Sequence, residues 1–295
     1  MTIASHRAFS FSRVAAITGA TLKGLTRLKT FYVLLLFALL LIGNSIFMAQ
    51  MTFQQEFQVL KDIALGAMSI FTALLAVLAT ARLLPQDMED RTASTILAKP
   101  VSRFEYLTGK LLGTLLLLAI SLAAMSALFF LVLTLREQAA LRETAQQMSA
   151  APPEQLSEAL RLVHGSTFNS NLFSGIAVIY LKGCLLASLT LFVSTFATTS
   201  IFTMIVMAFV YFIGHLQAIA REFWLQTNSA GWISQTFLGL VALFFPDLQL
   251  FNLTDDVVAG NAIPLSVLAR IVTLGLFYTG FYLLLAWSVF FRKEL

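Results

Sequence analysis

Cysteine is almost missing: Cys184 is the only one in 295 residues, and it lies inside an apolar run. One thiol supports neither a disulfide framework nor a cysteine-based zinc site. Histidine is scarce too, with His6, His164 and His215 scattered along the chain, so no metal-ligand cluster can be drawn. Catalytic patterns are also absent. There is no H-E-x-x-H, no spacing that suits a Ser-His-Asp arrangement and no complete nucleotide loop. The stretch GATLKGLT from Gly19 to Thr26 has the glycine spacing of a phosphate-binding loop. It lacks the lysine after the second glycine, and no strand precedes it, so the match is chance. Without aromatic stacking platforms or a basic groove there is no case for nucleic acid. Neither an enzyme nor a metal or cofactor site is expected in this chain.

What remains is apolar. Hydrophobic residues make up 58% of the chain, charged residues 12%, and the mean hydropathy is +0.84. A soluble domain of this size could not hide that much apolar surface, so the expectation is an all-α polytopic membrane protein. About 20 helical residues cross the roughly 30 Å hydrocarbon core. Six runs are long enough, at about 30–49, 63–83, 107–134, 172–196, 200–219 and 268–291. A shorter run from Trp232 to Phe245 ends at Pro246-Asp247 and reads as re-entrant or interfacial, within an external segment 220–267.

Lysine and arginine bias sets the orientation. With the amino terminus in the cytosol, the cytosolic pieces hold 12 basic and five acidic residues, and the outer pieces six basic and ten acidic. Both termini are therefore expected inside. Residues 1–29 contain Arg7, Arg13, Lys23, Arg27 and Lys29 and no acid. Val14, Ile17, Leu22, Leu25 and Leu28 share a helical face opposite Arg13, Lys23 and Arg27, which suits an uncleaved amphipathic helix in the membrane interface. Membrane lipid is thus an expected partner. Between the third and fourth spans an external insert, 135–171, reads as two helices broken at Pro152-Pro153. It either packs on its own protein or meets a partner outside the cell. Asp255-Asp256 read as solvated loop carboxylates, and Asn252-Leu253-Thr254 matches a weak glycosylation pattern.

Within the spans, Lys182 is the costliest residue. It either lines a polar pathway for an anionic substrate, snorkels to the outer interface, or bonds to a neighbouring helix. Gly109 and Gly113 form a G-x-x-x-G pair, which favours close helix packing. The Ser194, Thr195, Thr198, Thr199, Ser200 cluster makes a tight turn and caps helix ends.

The most informative stretch is polar and runs from Pro85 to Lys110 between the second and third spans. Asp87, Glu89, Asp90 and Glu105 interleave with Arg91, Lys99, Arg103 and Lys110. Asp90 or Thr92 can cap a short helix through Leu97, which Pro100 would stop, and a second helix would start at Phe104 or Glu105. Such a surface helix suits a push from a soluble partner. The plainer reading is a solvated loop that only obeys charge topology.

This stretch resembles the permease subunits of type-2 ABC (ABC-2) transporters, and is most similar to the NosY-like group of multi-copper-enzyme maturation permeases. The likeness rests on Glu89, Thr95-Ile96-Leu97, Pro100, Ser102-Arg103, Tyr106 and Gly109-Lys110. Ala93-Ser94 stand where many relatives have a glycine, and the insert after the third span is unusually long. The resemblance implies a half-transporter in a bacterial cytoplasmic membrane. It would pair with a second permease copy, itself or a relative, and dock on an ABC ATPase made as a separate chain. That partner would bind ATP and magnesium. An Asp87–Leu97 coupling helix within the loop 84–106 would seat in the ATPase, with Asp87, Glu89, Asp90, Arg91, Thr95, Leu97, Pro100 and Arg103 at the seat. Export is the expected direction. The competing class is a membrane scaffold or assembly subunit that works through its external insert and moves nothing.

Overall fold

The computed structural model describes residues 9–50, 56–90, 92, 101–149, 152–226 and 246–292, of which residues 48–50 and 218–226 are described by their backbone alone. Among the described residues there are helices and one 3-10 turn, and no strand. In chain order the helices are α1 (Phe11–Thr26), α2 (Lys29–Gln50), α3 (Glu56–Glu89), α4 (Arg103–Gln147), α5 (Pro153–Thr167), α6 (Asn171–Phe196) and α7 (Ser200–Gln226). The 3-10 turn Leu248–Phe251, a short α8 (Thr254–Ala259) and α9 (Leu265–Arg292) complete the chain. Six of them, α2, α3, α4, α6, α7 and α9, are long and apolar enough to cross a membrane. The expected six-span, all-helical architecture is what the chain adopts.

The bundle is built around α6. It is apolar on every side, and it packs against α3, α4, α7 and α9. Leu185, Leu186, Ala187 and Leu191 are fully buried. A helix that is hydrophobic all round belongs in an interior. The buried hydroxyls of Ser188 and Thr190 return to the carbonyls of Leu185 and Leu186, so α6 buries no unsatisfied hydroxyl there. By contrast, α2 and α9 hold Leu36, Phe37, Leu276 and Phe277 outward. In water such a surface would be a liability; against lipid it is the expected one.

One helix far outruns the bilayer. At 1.5 Å per residue, α4 with its 45 residues is about 67 Å long, over twice the hydrocarbon thickness, so both its ends project. Its carboxy-terminal part is the first of the two insert helices expected from sequence, continuous with the third span. The break does fall at Pro152-Pro153, and Pro153 opens α5, where a missing N–H costs nothing. Charged contacts fasten this end. Arg136 pairs with Glu56 at 2.6 Å and Glu143 at 3.4 Å, and His164 Nδ1 lies 2.6 Å from Glu137. Lys61 donates to the Ser166 carbonyl at 2.6 Å, holding α5 against α3.

Two boundaries differ from the sequence reading. Helix α3 does not stop near residue 83 but runs through Pro85 to Glu89. Proline forfeits only its own N–H bond and crowds one carbonyl, and burial of Pro85 against the bundle offsets that loss. Helix α7 continues past residue 219 to Gln226. The segment after it is packed rather than loose where it is described. Trp232–Phe245 lie outside the described residues, but Asp247, Leu248, Phe251 and Val257 are buried. A Cβ on Gly214 of α7 would lie 2.7 Å from Leu248, and one on Gly175 of α6 would lie 3.1 Å from Val257. These two glycines let residues 246–259 press into the bundle. Asp255 and Asp256 stay exposed, as expected of loop carboxylates.

Candidate functional site

The site grows from the first two turns of α4. Ser102 is its N-cap: the hydroxyl accepts from the Glu105 N–H at 3.1 Å, and the Glu105 carboxylate accepts from the Ser102 N–H at 2.8 Å. That reciprocal box satisfies two otherwise orphaned donors and fixes where the helix begins. Glu105 does more than cap. Its other oxygen accepts from the Ser10 N–H at 2.7 Å and faces Arg13 at 3.3 Å, which fastens the start of α1 to the start of α4. Burial opposes charge on this carboxyl. The backbone N–H groups of Ser102 and Ser10, the Ser102 hydroxyl and the Arg13 guanidinium together outweigh it and hold Glu105 below the usual carboxylate range.

The next residues reach other helices. Arg103 Nη1 donates to the carbonyls of Phe290 and Phe291 at 2.8 and 2.7 Å, and its guanidinium lies 5.9 Å from each of their rings. A cation thereby satisfies carbonyls that the carboxy terminus of α9 leaves open. Tyr106, fully buried, stacks on Phe290 and donates its hydroxyl to the Asp87 carboxylate. Lys110, one turn on, pairs with the same carboxylate at 2.5 Å. Asp87 is therefore held between two groups of α4, at the last turn of α3.

Gly109 and Gly113 face α1. An added Cβ would lie 2.8 Å from Ile17 at Gly109 and 2.7 Å from Thr21 at Gly113, while Thr18 donates to the Gly109 carbonyl at 3.2 Å. Their close packing is thus with the amino-terminal helix. For the same reason the buried face of α1 is Val14, Thr18, Thr21 and Leu25 rather than the wholly apolar face expected from sequence. Small side chains fit the glycine groove, and Ile17 and Leu22 sit half-buried beside it.

The residues expected at a coupling seat fall into three groups. Glu89 and Asp90 are exposed just beyond this hub, with Asp90 donating its N–H to the Gln86 carbonyl at 2.9 Å. Asp87 and Arg103 turn inward and join helices. Arg91, Thr95, Leu97 and Pro100 lie outside the described residues, as does most of the expected Asp87–Leu97 helix. Its amino-terminal part, Asp87 to Glu89, belongs to α3, and Thr92 donates to the Asp87 carbonyl at 3.2 Å where that helix ends. Sequence reasoning missed the inward role of Glu105. The Ser102-x-x-Glu105 spacing was the signal that could have found it.

Lys182 is elsewhere, inside the bundle and 4% exposed. It does not snorkel. Its Nζ lies 3.2 Å from His215 Nε2 on α7 and 5.6 Å from the Tyr211 ring centre. His215 Nδ1 is 2.9 Å from the Tyr211 carbonyl, so the neutral ring donates there and accepts from Lys182 through Nε2. Tyr211 also borders an apolar groove of about 550 Å³ between α3 and α7, with Ile70, Ala73, Leu74, Met204 and Met207 on its walls. Among the described residues no group of three or more His, Cys, Asp or Glu side chains could hold a metal ion.

The sequence profile of the ABC-2 family transporter proteins matches residues 26–295. No curated protein matches the chain.

Proposed function

We propose, from the premise that the chain belongs to the ABC-2 family of transporter membrane proteins, that it is the permease half of a transporter driven by a separate ABC ATPase. Family membership makes it a multi-pass transmembrane component rather than a catalytic one. The observation that supports coupling is the convergence at Ser102–Lys110. One helix start holds α1 through Glu105, α3 through Tyr106 and Lys110, and α9 through Arg103. A displacement applied to the 90–101 connection would reach four helices at once. The exposed Glu89 and Asp90 stand where that displacement would enter.

In this reading the α1 end faces the cytosol of a bacterium, with both chain termini. ATP-driven closure moves α3 against α4 and opens a path between two permease copies, identical or related. The groove between α3 and α7 is the face offered to that path, and the direction is export. The finer likeness to NosY-like permeases belongs to this reading as well. An ATP cycle can bias two membrane states only through contacts that differ between them, so the seat must carry measurable docking energy.

The test is co-purification. A tag on this chain should bring the ATPase out of native membranes, and Glu89→Lys or Arg91→Glu should weaken that yield while leaving the permease folded. Unchanged recovery of the ATPase with both variants would count against the seat. ATP-dependent movement of a ligand by the reconstituted complex separates a transporter from a scaffold, which moves none.

A further inference from the structure

The α1 end holds a cleft that coupling does not use. It lies between α1 and α3, encloses about 540 Å³, and has Arg13, Arg82 and Lys110 on its walls with Asp87 as the one acid. Two of those cations already have carboxylates: Lys110 has Asp87 at 2.5 Å, and Arg13 has Glu105 at 3.3 Å. Arg82 has no side-chain hydrogen bond or ion pair among the described residues, although it is only partly exposed. The buried Thr21 hydroxyl, on the same wall, also lacks a partner. Three cations against two carboxylates leave one positive charge uncompensated, and it sits on Arg82.

The cleft does not end at Arg82. A shallow furrow shares Leu25, Leu28 and Arg82 with it and passes Leu34 and Leu78 as far as Leu75. Leu75 is seven residues from Arg82 along α3, which is about 10 Å toward the middle of the span. The combined shape has a charged mouth at the membrane surface and an apolar tail leading into the hydrocarbon. A guanidinium fork suits phosphate oxygens, and desolvation makes an unpaired one costly. Free phosphate would satisfy the mouth alone. Only a lipid uses both parts.

We propose that this cleft binds one anionic phospholipid, with its phosphate on Arg82 and an acyl chain along the Leu34–Leu75 furrow. The lipid completes the seat of α1 by supplying the negative charge that Arg82 lacks once Asp87 is taken up by Lys110. It is a resident of the permease and not its cargo, so the proposal stands or falls without the ATPase or any transport.

The experiment uses the full-length chain, purified and delipidated in detergent, with thermal unfolding as readout. Phosphatidylglycerol, phosphatidylcholine and inorganic phosphate are titrated separately. Wild type should be stabilised by phosphatidylglycerol well before phosphatidylcholine, with no response to phosphate alone. Arg82→Gln should weaken the phosphatidylglycerol response about tenfold, and Arg82→Lys should restore part of it. Leu78→Trp, a half-buried position on the furrow wall, should block the furrow and lower lipid binding with Arg82 intact, and it serves where an Arg82 variant fails to fold. Equal responses of wild type and Arg82→Gln would overturn the proposal. A shift produced by phosphate alone would overturn the acyl-chain assignment and leave a free anion site.

Discussion

Replacing Asp87 by asparagine isolates the junction between α3 and α4. The carboxylate accepts from the fully buried Tyr106 hydroxyl and pairs with Lys110 at 2.5 Å, with the side chains of Asp87 and Lys110 only 17% and 11% exposed. Asparagine keeps the shape and can still accept from Tyr106, so the main loss is the partner of a nearly buried ammonium. Breaking such a pair from one side costs about 3–5 kcal/mol, because the remaining charge stays desolvated. Solvent reaching Lys110 places the expected loss near the lower end, about 3 kcal/mol. The assay is reversible unfolding of the purified chain in detergent, or its thermal midpoint where unfolding is irreversible. Lys110→Met alone leaves Asp87 one partner, Tyr106, and should cost less. In the double variant the stranded charge is gone, so its loss should fall below the sum of the single losses by about 1 kcal/mol or more. Asp87→Asn within about 0.5 kcal/mol of wild type, or strictly additive single losses, would refute this account of the junction.

Three further outcomes follow from other contacts. Gly113→Leu should push α1 off α4 at a cost of about 1–3 kcal/mol, exposing a cysteine placed at Thr21 in a Cys184→Ala background, whereas Gly19→Ala meets nothing within 4 Å and should leave labelling unchanged; equal labelling in both would refute the glycine groove. Glu105 has its folded-state pKa lowered, so its contribution is present above the unfolded value of about 4.3 and is lost as pH falls through the folded one. Wild type should therefore lose stability below about pH 4 more steeply than Glu105→Gln, and parallel curves would show that the carboxylate carries no such linkage. His215→Leu removes the acceptor of buried Lys182 and should cost about 3 kcal/mol or more, while Lys182→Met removes the charge itself and should be nearly neutral. Comparable losses in the two variants would contradict that pairing.

The chain announces its spans plainly, because twenty-residue apolar runs have few alternative uses. The G-x-x-x-G pair also told the truth, although it could not name α1 as the helix received. Contacts between distant segments were not legible. Nothing near Lys182 in sequence marks His215, 33 residues away, as its acceptor. Asp247, which closes the run read as re-entrant or interfacial, is 8% exposed, and nothing in the sequence paired the next residue, Leu248, with Gly214. The second span, read as ending near residue 83, runs on through Pro85 because tertiary burial carries the helix. At the candidate site, Ser102, Tyr106, Gly109 and Lys110 were visible as a family signature without a mechanism. Their common purpose, joining α1, α3 and α9 to one helix start, emerges only when those partners are in place.

The central claim is that the α3–α4 connection faces the cytosol and receives a soluble ATPase. A single cysteine at Glu89, in a Cys184→Ala background, tests it with a membrane-impermeant maleimide on sealed vesicles of known sidedness. The account predicts labelling only on inside-out vesicles, and slower labelling once the ATPase is bound. Labelling from the outer face, or an unchanged rate beneath a bound ATPase, would contradict it.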